Sequence, residues 1–143
     1  MNLHIQIPAA STLESDSAFR MPENYYYWTP LAAYYLKQSR LIEIHCWNDE
    51  IQAIDELEEL GVFKVEAEQN MTIFKGELSV ETADFLLNHF LDGEGKFKWF
   101  SVFADHFSSE HWATEIIVEA ADEKEIARIS SVTPAETQIH QFK

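Results

Sequence analysis

The chain has 143 residues, 46% of them hydrophobic and 13% aromatic, enough to build a core and unlike a disordered segment. Its formal charge of −15 argues against direct contact with a nucleic-acid backbone or an anionic membrane. One cysteine excludes an intramolecular disulfide and a cysteine-only metal cage, and no stretch reads as a signal peptide or a span. The expectation is a cytoplasmic protein of one domain, residues 1–143.

The acids are unevenly placed. Residues 41–95 hold fourteen acids and two bases, whereas residues 1–40 balance at three of each. Such a stretch attracts basic partners.

Leu3, Ile5 and Ile7 alternate with His4 and Gln6, a short strand that Pro8 ends. Residues 9–24, rich in Ser and Ala, read as a loop. Tyr25, Tyr26, Tyr27 and Trp28 follow. Four successive aromatics cannot all enter one core, and Tyr and Trp suit binding surfaces, so all four are candidate binding residues. Thr29 and Pro30 predict a helix start. Leu31, Tyr34 and Tyr35 form its apolar face.

Leu41 to Trp47 alternates as a strand, with Ile42, Ile44 and Cys46 inward. Asn48 is placed to cap a helix whose stripe is Ile51, Ile54, Leu57 and Leu60 and whose stop is Gly61. Asp55, Glu56, Glu58 and Glu59 crowd its other side. Like charges at helical spacing weaken a helix, so this side is the candidate surface for a basic partner.

Residues 62–67 and 71–78 read as a hairpin through Glu68, Gln69 and Asn70. Ser79 caps a third helix, with Val80, Ala83, Leu87, Phe90 and Leu91 at helical spacing. Gly93 and Gly95 end it.

Residues 96–104 and 112–120 read as an antiparallel strand pair joined by a polar loop, 105–111. The first segment is apolar on both sides, as in a central strand covered on both faces. The loop holds Asp105, His106, Glu110 and His111, all able to transfer protons, and these are the candidate catalytic residues. The chain has no H-x-x-x-H or C-x-x-C pair, so no metal ligands are assigned. Asp122 and Glu125 make a capping-box pattern over a short helix burying Ile126 and Ile129. Pro134 breaks the chain, and Thr137 to Phe142 reads as an edge strand.

The order of elements predicts an α+β fold: one domain with a largely antiparallel sheet and about three helices packed on it. No phosphate loop, dinucleotide fingerprint or hydrolase signature occurs, and no cofactor is expected. The leading expectation is a non-enzymatic acidic binding or regulatory protein that masks a basic partner, as immunity- and inhibitor-type proteins do. A second is a small-molecule- or metal-dependent enzyme using the 105–111 loop. A third is a homo-oligomer with Tyr25 to Trp28 buried between subunits.

Overall fold

Among the described residues, eight strands form one sheet in which every neighbouring pair runs antiparallel. The structure, a computed structural model, describes residues 1–9 and 21–143. The rest of the predicted 9–24 loop, residues 10–20, lies outside the described residues. The strands are β1 (Asn2–Gln6), β2 (Leu41–Trp47), β3 (Lys64–Ala67), β4 (Met71–Glu77), β5 (Ser101–Phe103), β6 (Phe107–Glu110), β7 (Glu115–Val118) and β8 (Gln138–Phe142). Their order across the sheet is β3-β4-β2-β5-β6-β7-β1-β8. Among the described residues, four helices accompany them: α1 (Trp28–Leu36), α2 (Ile51–Leu60), α3 (Val80–Asn88) and α4 (Glu123–Val132). The α+β expectation holds, with α4 as a full fourth helix.

Strand period places the core. The register lines up Val65, Phe74, Ile44, Val102, Ser109, Ile116, Ile5 and Ile139, one residue from each strand. The six inner members of this row are 0% exposed. Leu31, Leu57, Leu86 and Ile129, one from each helix, join the same cluster. The neighbouring row runs Lys64, Lys75, Glu43, Phe103, Ser108, Ile117, His4 and His140, and none of its members is buried. Among the described residues, the helices therefore cover one face and leave the other open. Successive strand side chains point to opposite faces, so one register fixes both rows.

Three local expectations need correction. Residues 105–111 are not a loop. Phe107 to Glu110 is β6, inserted between β5 and β7, so the two predicted strands do not pair with each other. Phe107 and Ser109 point inward, and a serine in a fully buried slot hides the alternation. The segment before β5 is not strand throughout. Phe97 and Trp99 instead pack edge-on against each other, with Phe97 also edge-on against Trp28 of α1. Finally, α3 ends at Asn88, and Leu91 bridges back to Phe97.

The caps divide in the same way. Ser79 and Asp122 cap as predicted, and Gly61 ends α2 with φ 67°. Thr29 does not cap. Helix α1 starts at Trp28, and the Thr29 hydroxyl donates to the Leu87 carbonyl at 2.6 Å, tying α1 to α3. Asn48 does not cap α2 either, because Glu50 holds the N-cap position. The Asn48 amide donates to the carbonyls of Glu68 and Gln69, which closes the β3–β4 hairpin onto the end of β2.

Candidate functional site

The aromatic run belongs mostly to the core. Tyr25, Tyr27 and Trp28 are 7%, 2% and 0% exposed, and Tyr26 alone stands out at 85%. The Tyr27 hydroxyl donates to the Ala113 carbonyl at 2.5 Å, and the Trp28 indole donates to the Leu86 carbonyl at 2.9 Å. Within this one chain, three of the four predicted binding aromatics are therefore already covered.

The acidic face of α2 is at the surface. Asp55, Glu58 and Glu59 are exposed. Glu56 turns instead to the Lys98 ammonium at 2.6 Å, and that lysine is only 4% exposed. The Lys98 ammonium also lies 5.4 Å from the centre of the Phe85 ring. This pair holds α2 against the segment leading to β5.

The four predicted catalytic residues split into two pairs. Asp105 and His106 lie before β6 and Glu110 and His111 at its far end, with His106 and Glu110 about 13 Å apart along the strand. The Asp105 carboxylate accepts from the backbone N–H groups of Arg40 and Leu41 and so fixes the start of β2. His106 lies 3.8 Å from Glu119. Glu110 instead stands opposite Glu115, which both His111 and His4 reach, a grouping absent from the sequence reading.

A turn in an unfavourable backbone conformation makes that grouping. His111, Trp112 and Ala113 have φ of 54°, 54° and 65°, three successive left-handed residues without a glycine. Each such L-residue costs about 1–2 kcal/mol, so neighbouring contacts must hold the turn. The Trp112 N–H donates to the Phe100 carbonyl at 3.0 Å. The Thr114 hydroxyl donates to the His111 carbonyl at 2.9 Å. Ala113 is fully buried, and its carbonyl receives the Tyr27 hydroxyl. The Trp112 ring packs edge-on against Phe100 at 4.7 Å, and its indole donates to Glu50 at 2.9 Å.

Trp112 lines two clefts at this end of the sheet. One, of about 760 Å³, is also lined by Gln6, His111, Glu115, Glu136 and Gln138. In it His111 Nδ1 is hydrogen-bonded to Glu115, and His4 Nε2 lies 3.5 Å from the other oxygen of that carboxylate. The second, of about 570 Å³, is lined by Trp47, Asp49 and Glu50. Asp49 and Glu50 also border a third cleft, of about 430 Å³, with Asp92, Glu94, Lys96 and Lys98.

Glu50 links these features. Its carboxylate accepts from the Trp47 N–H at 2.8 Å as well as from the Trp112 indole. Burial pushes its carboxyl above the usual carboxylate range. The two donors pull it back, and the charges of Asp49 and Asp92 push it further up. Burial raises the Cys46 thiol as well, with the Glu50 charge adding to it.

Sequence reasoning missed Glu50, Asp92, Trp112, Glu115 and His4 as neighbours. The left-handed turn has no glycine or asparagine to announce it. Only the acid-rich composition of 41–95 hinted that Asp49, Glu50, Asp92 and Glu94 would converge. Among the described residues, no group of three His, Cys, Asp or Glu side chains is placed to hold a metal ion. No described helix is long and apolar enough to cross a membrane.

The fold and this end of the sheet define an α+β protein whose helices, among the described residues, leave one sheet face uncovered, with an acidic, indole-walled rim. No family model, curated protein or solved structure gives a significant match to the chain.

Proposed function

We propose that the protein is a non-enzymatic acidic binding protein that receives a basic partner on the surface running from the rim around Glu50 along the outer side of α2. The observation carrying this reading is the convergence of Asp49, Glu50 and Asp92. Burial is the first cause that disfavours ionisation of Glu50, the Trp112 and Trp47 donors oppose it, and the nearby charges of Asp49 and Asp92 add a smaller push in the same direction as burial. Within one chain, crowded carboxylates cost stability. A cation from outside relieves that cost.

Among the described residues, the nearby bases already face other acids. Lys98 is turned to Glu56 at 2.6 Å, and Lys96 lies 3.5 Å from Glu94. Asp55, Glu58 and Glu59 continue the negative surface along α2. Trp47 and Trp112 supply apolar walls beside it, and indole faces favour cations.

Attraction of this kind acts mostly on the association rate and fades with salt. Glu58→Lys combined with Glu59→Lys is expected to slow association with the partner about tenfold and to flatten its salt dependence. Unchanged kinetics would contradict the reading.

A further inference from the structure

We propose that the outer edge of β8 is a self-association surface, on which β8 of a second copy of this chain adds antiparallel and continues the sheet. β8 ends the strand order, and among the described residues only β1 pairs with it. The register shows which backbone groups are left over. The Ile7 N–H donates to the Thr114 carbonyl at 2.9 Å, so every second residue back along β1, Ile5 and Leu3, bonds toward β7. Asn2, His4 and Gln6 therefore bond toward β8, where they stand opposite Phe142, His140 and Gln138. The N–H and C=O groups of Ile139 and Gln141 point the other way, and among the described residues no strand pairs with them. A row of unpaired backbone donors and acceptors is a template for another strand.

The two edges of the sheet differ in protection. β3, the opposite edge, has four residues and carries Lys64 and Glu66. Short length and charge are the usual guards against edge pairing. β8 has five residues, Gln-Ile-His-Gln-Phe, with no lysine, acid or proline, and its register with β1 runs without a bulge. Gln138, His140, Gln141 and Phe142 are exposed. The chain has 25 acids, yet residues 137–143 hold none. Two copies therefore meet here without the repulsion that holds their acidic surfaces apart.

A second copy is the occupant because this stretch complements itself. Antiparallel pairing centred on His140 sets Ile139 opposite Gln141 of the second copy, and these are the residues whose backbone groups point outward. Gln138 then meets Phe142, and Lys143 falls opposite Thr137, next to Glu136. A two-fold axis repeats this lysine–glutamate approach at both ends of the pair. Pairing of β8 with β3 would instead be head-to-tail and would not close. The inference does not rest on the proposed function, since α2 joins β2 to β3, toward the other edge of the sheet.

The test is sedimentation velocity on the intact chain from about 10 µM to about 1 mM. One strand pair buries less than a standard interface, so a dimer with Kd on the order of 100 µM is expected. Gln141→Pro removes an outward N–H and keeps the bonds to β1, and should weaken the dimer about tenfold or more. Lys143→Glu and, separately, Glu136→Lys should each weaken it about threefold, and the double variant should recover wild-type affinity. Cross-linking reads the register. His140 faces itself across the two-fold axis in a non-hydrogen-bonded pair, where Cα atoms lie about 4.5 Å apart, within disulfide range. Under mild oxidation His140→Cys should give a disulfide-linked dimer, whereas Gln138→Cys, opposite Phe142, should not. Unchanged Tm and far-UV circular dichroism check the fold of each variant. A monomer at every concentration, a dimer indifferent to Gln141→Pro, no recovery in the charge swap, or equal cross-linking at positions 138 and 140 would overturn the proposal.

Discussion

The Trp112 indole donates to the Glu50 carboxylate at 2.9 Å across 62 positions of sequence. Because Glu50 also accepts from the Trp47 N–H, one carboxylate fixes both the end of β2 and the left-handed turn. Trp112→Phe keeps a ring against Phe100 and removes the donor. It is expected to destabilise the fold by about 1–3 kcal/mol in equilibrium urea unfolding, the cost of stripping one donor from a half-buried charge. A change near zero would show that the turn is held by other contacts.

Glu50 also makes a signed prediction for pH. Its carboxyl is raised in the folded state, so the native protein binds that proton more tightly than the unfolded chain does. Its contribution to stability is then largest at low pH and falls as pH rises from the unfolded pKa through the raised folded one. Glu50→Gln removes that dependence. The Tm of wild type relative to Glu50→Gln should be higher at about pH 4 than at about pH 7. A difference that is flat, or that grows with pH, would contradict the assignment.

Cys46 is fully buried, and its thiol is raised by burial and by the Glu50 charge. Thiolate is the reactive form, so the native protein should resist an aromatic disulfide reagent at neutral pH. Labelling should appear only with denaturant. Rapid labelling of the native protein would place the thiol at the surface.

Two backbone positions test the left-handed residues without touching the rim. Ala120 is exposed and has φ 55°. Ala120→Gly should therefore stabilise by about 0.5–1 kcal/mol. Gly61 has φ 67°, and an added Cβ would meet only the Glu59 carbonyl at 4.0 Å. Gly61→Ala should cost about 1 kcal/mol through the backbone alone. Urea unfolding of both variants checks the pair, and equal signs would be inconsistent with these dihedral angles.

Much of the fold was legible because period and caps agree. Alternation at Leu3, Ile5 and Ile7 and at Ile42, Ile44 and Cys46 gave β1 and β2 with the correct inward faces. Ser79, Gly61 and the Asp122–Glu125 pair fixed helix ends through local hydrogen bonds and chirality that the sequence states outright. Strand β6 was hidden because its inward slots hold Phe107 and Ser109, and a buried serine reads as surface. That single misreading also split the proposed catalytic loop between two ends of a strand. The rim was illegible for a different reason. Asp49 and Asp92 meet only through the packing of α2 against the turn after α3, where the Gln52 side chain accepts from the Gly93 N–H. Nothing local in either segment encodes that contact.

The central claim is that the acidic rim and the outer side of α2 receive a basic partner. The most direct measurement is affinity capture from the native cell extract at low salt, eluted at high salt and identified by mass spectrometry. Wild type is run beside a variant carrying Asp49→Asn, Asp92→Asn, Glu58→Lys and Glu59→Lys. The account predicts one basic protein, released by salt from wild type and missing from the variant. Capture of no basic protein, or equal capture by wild type and variant, would contradict it.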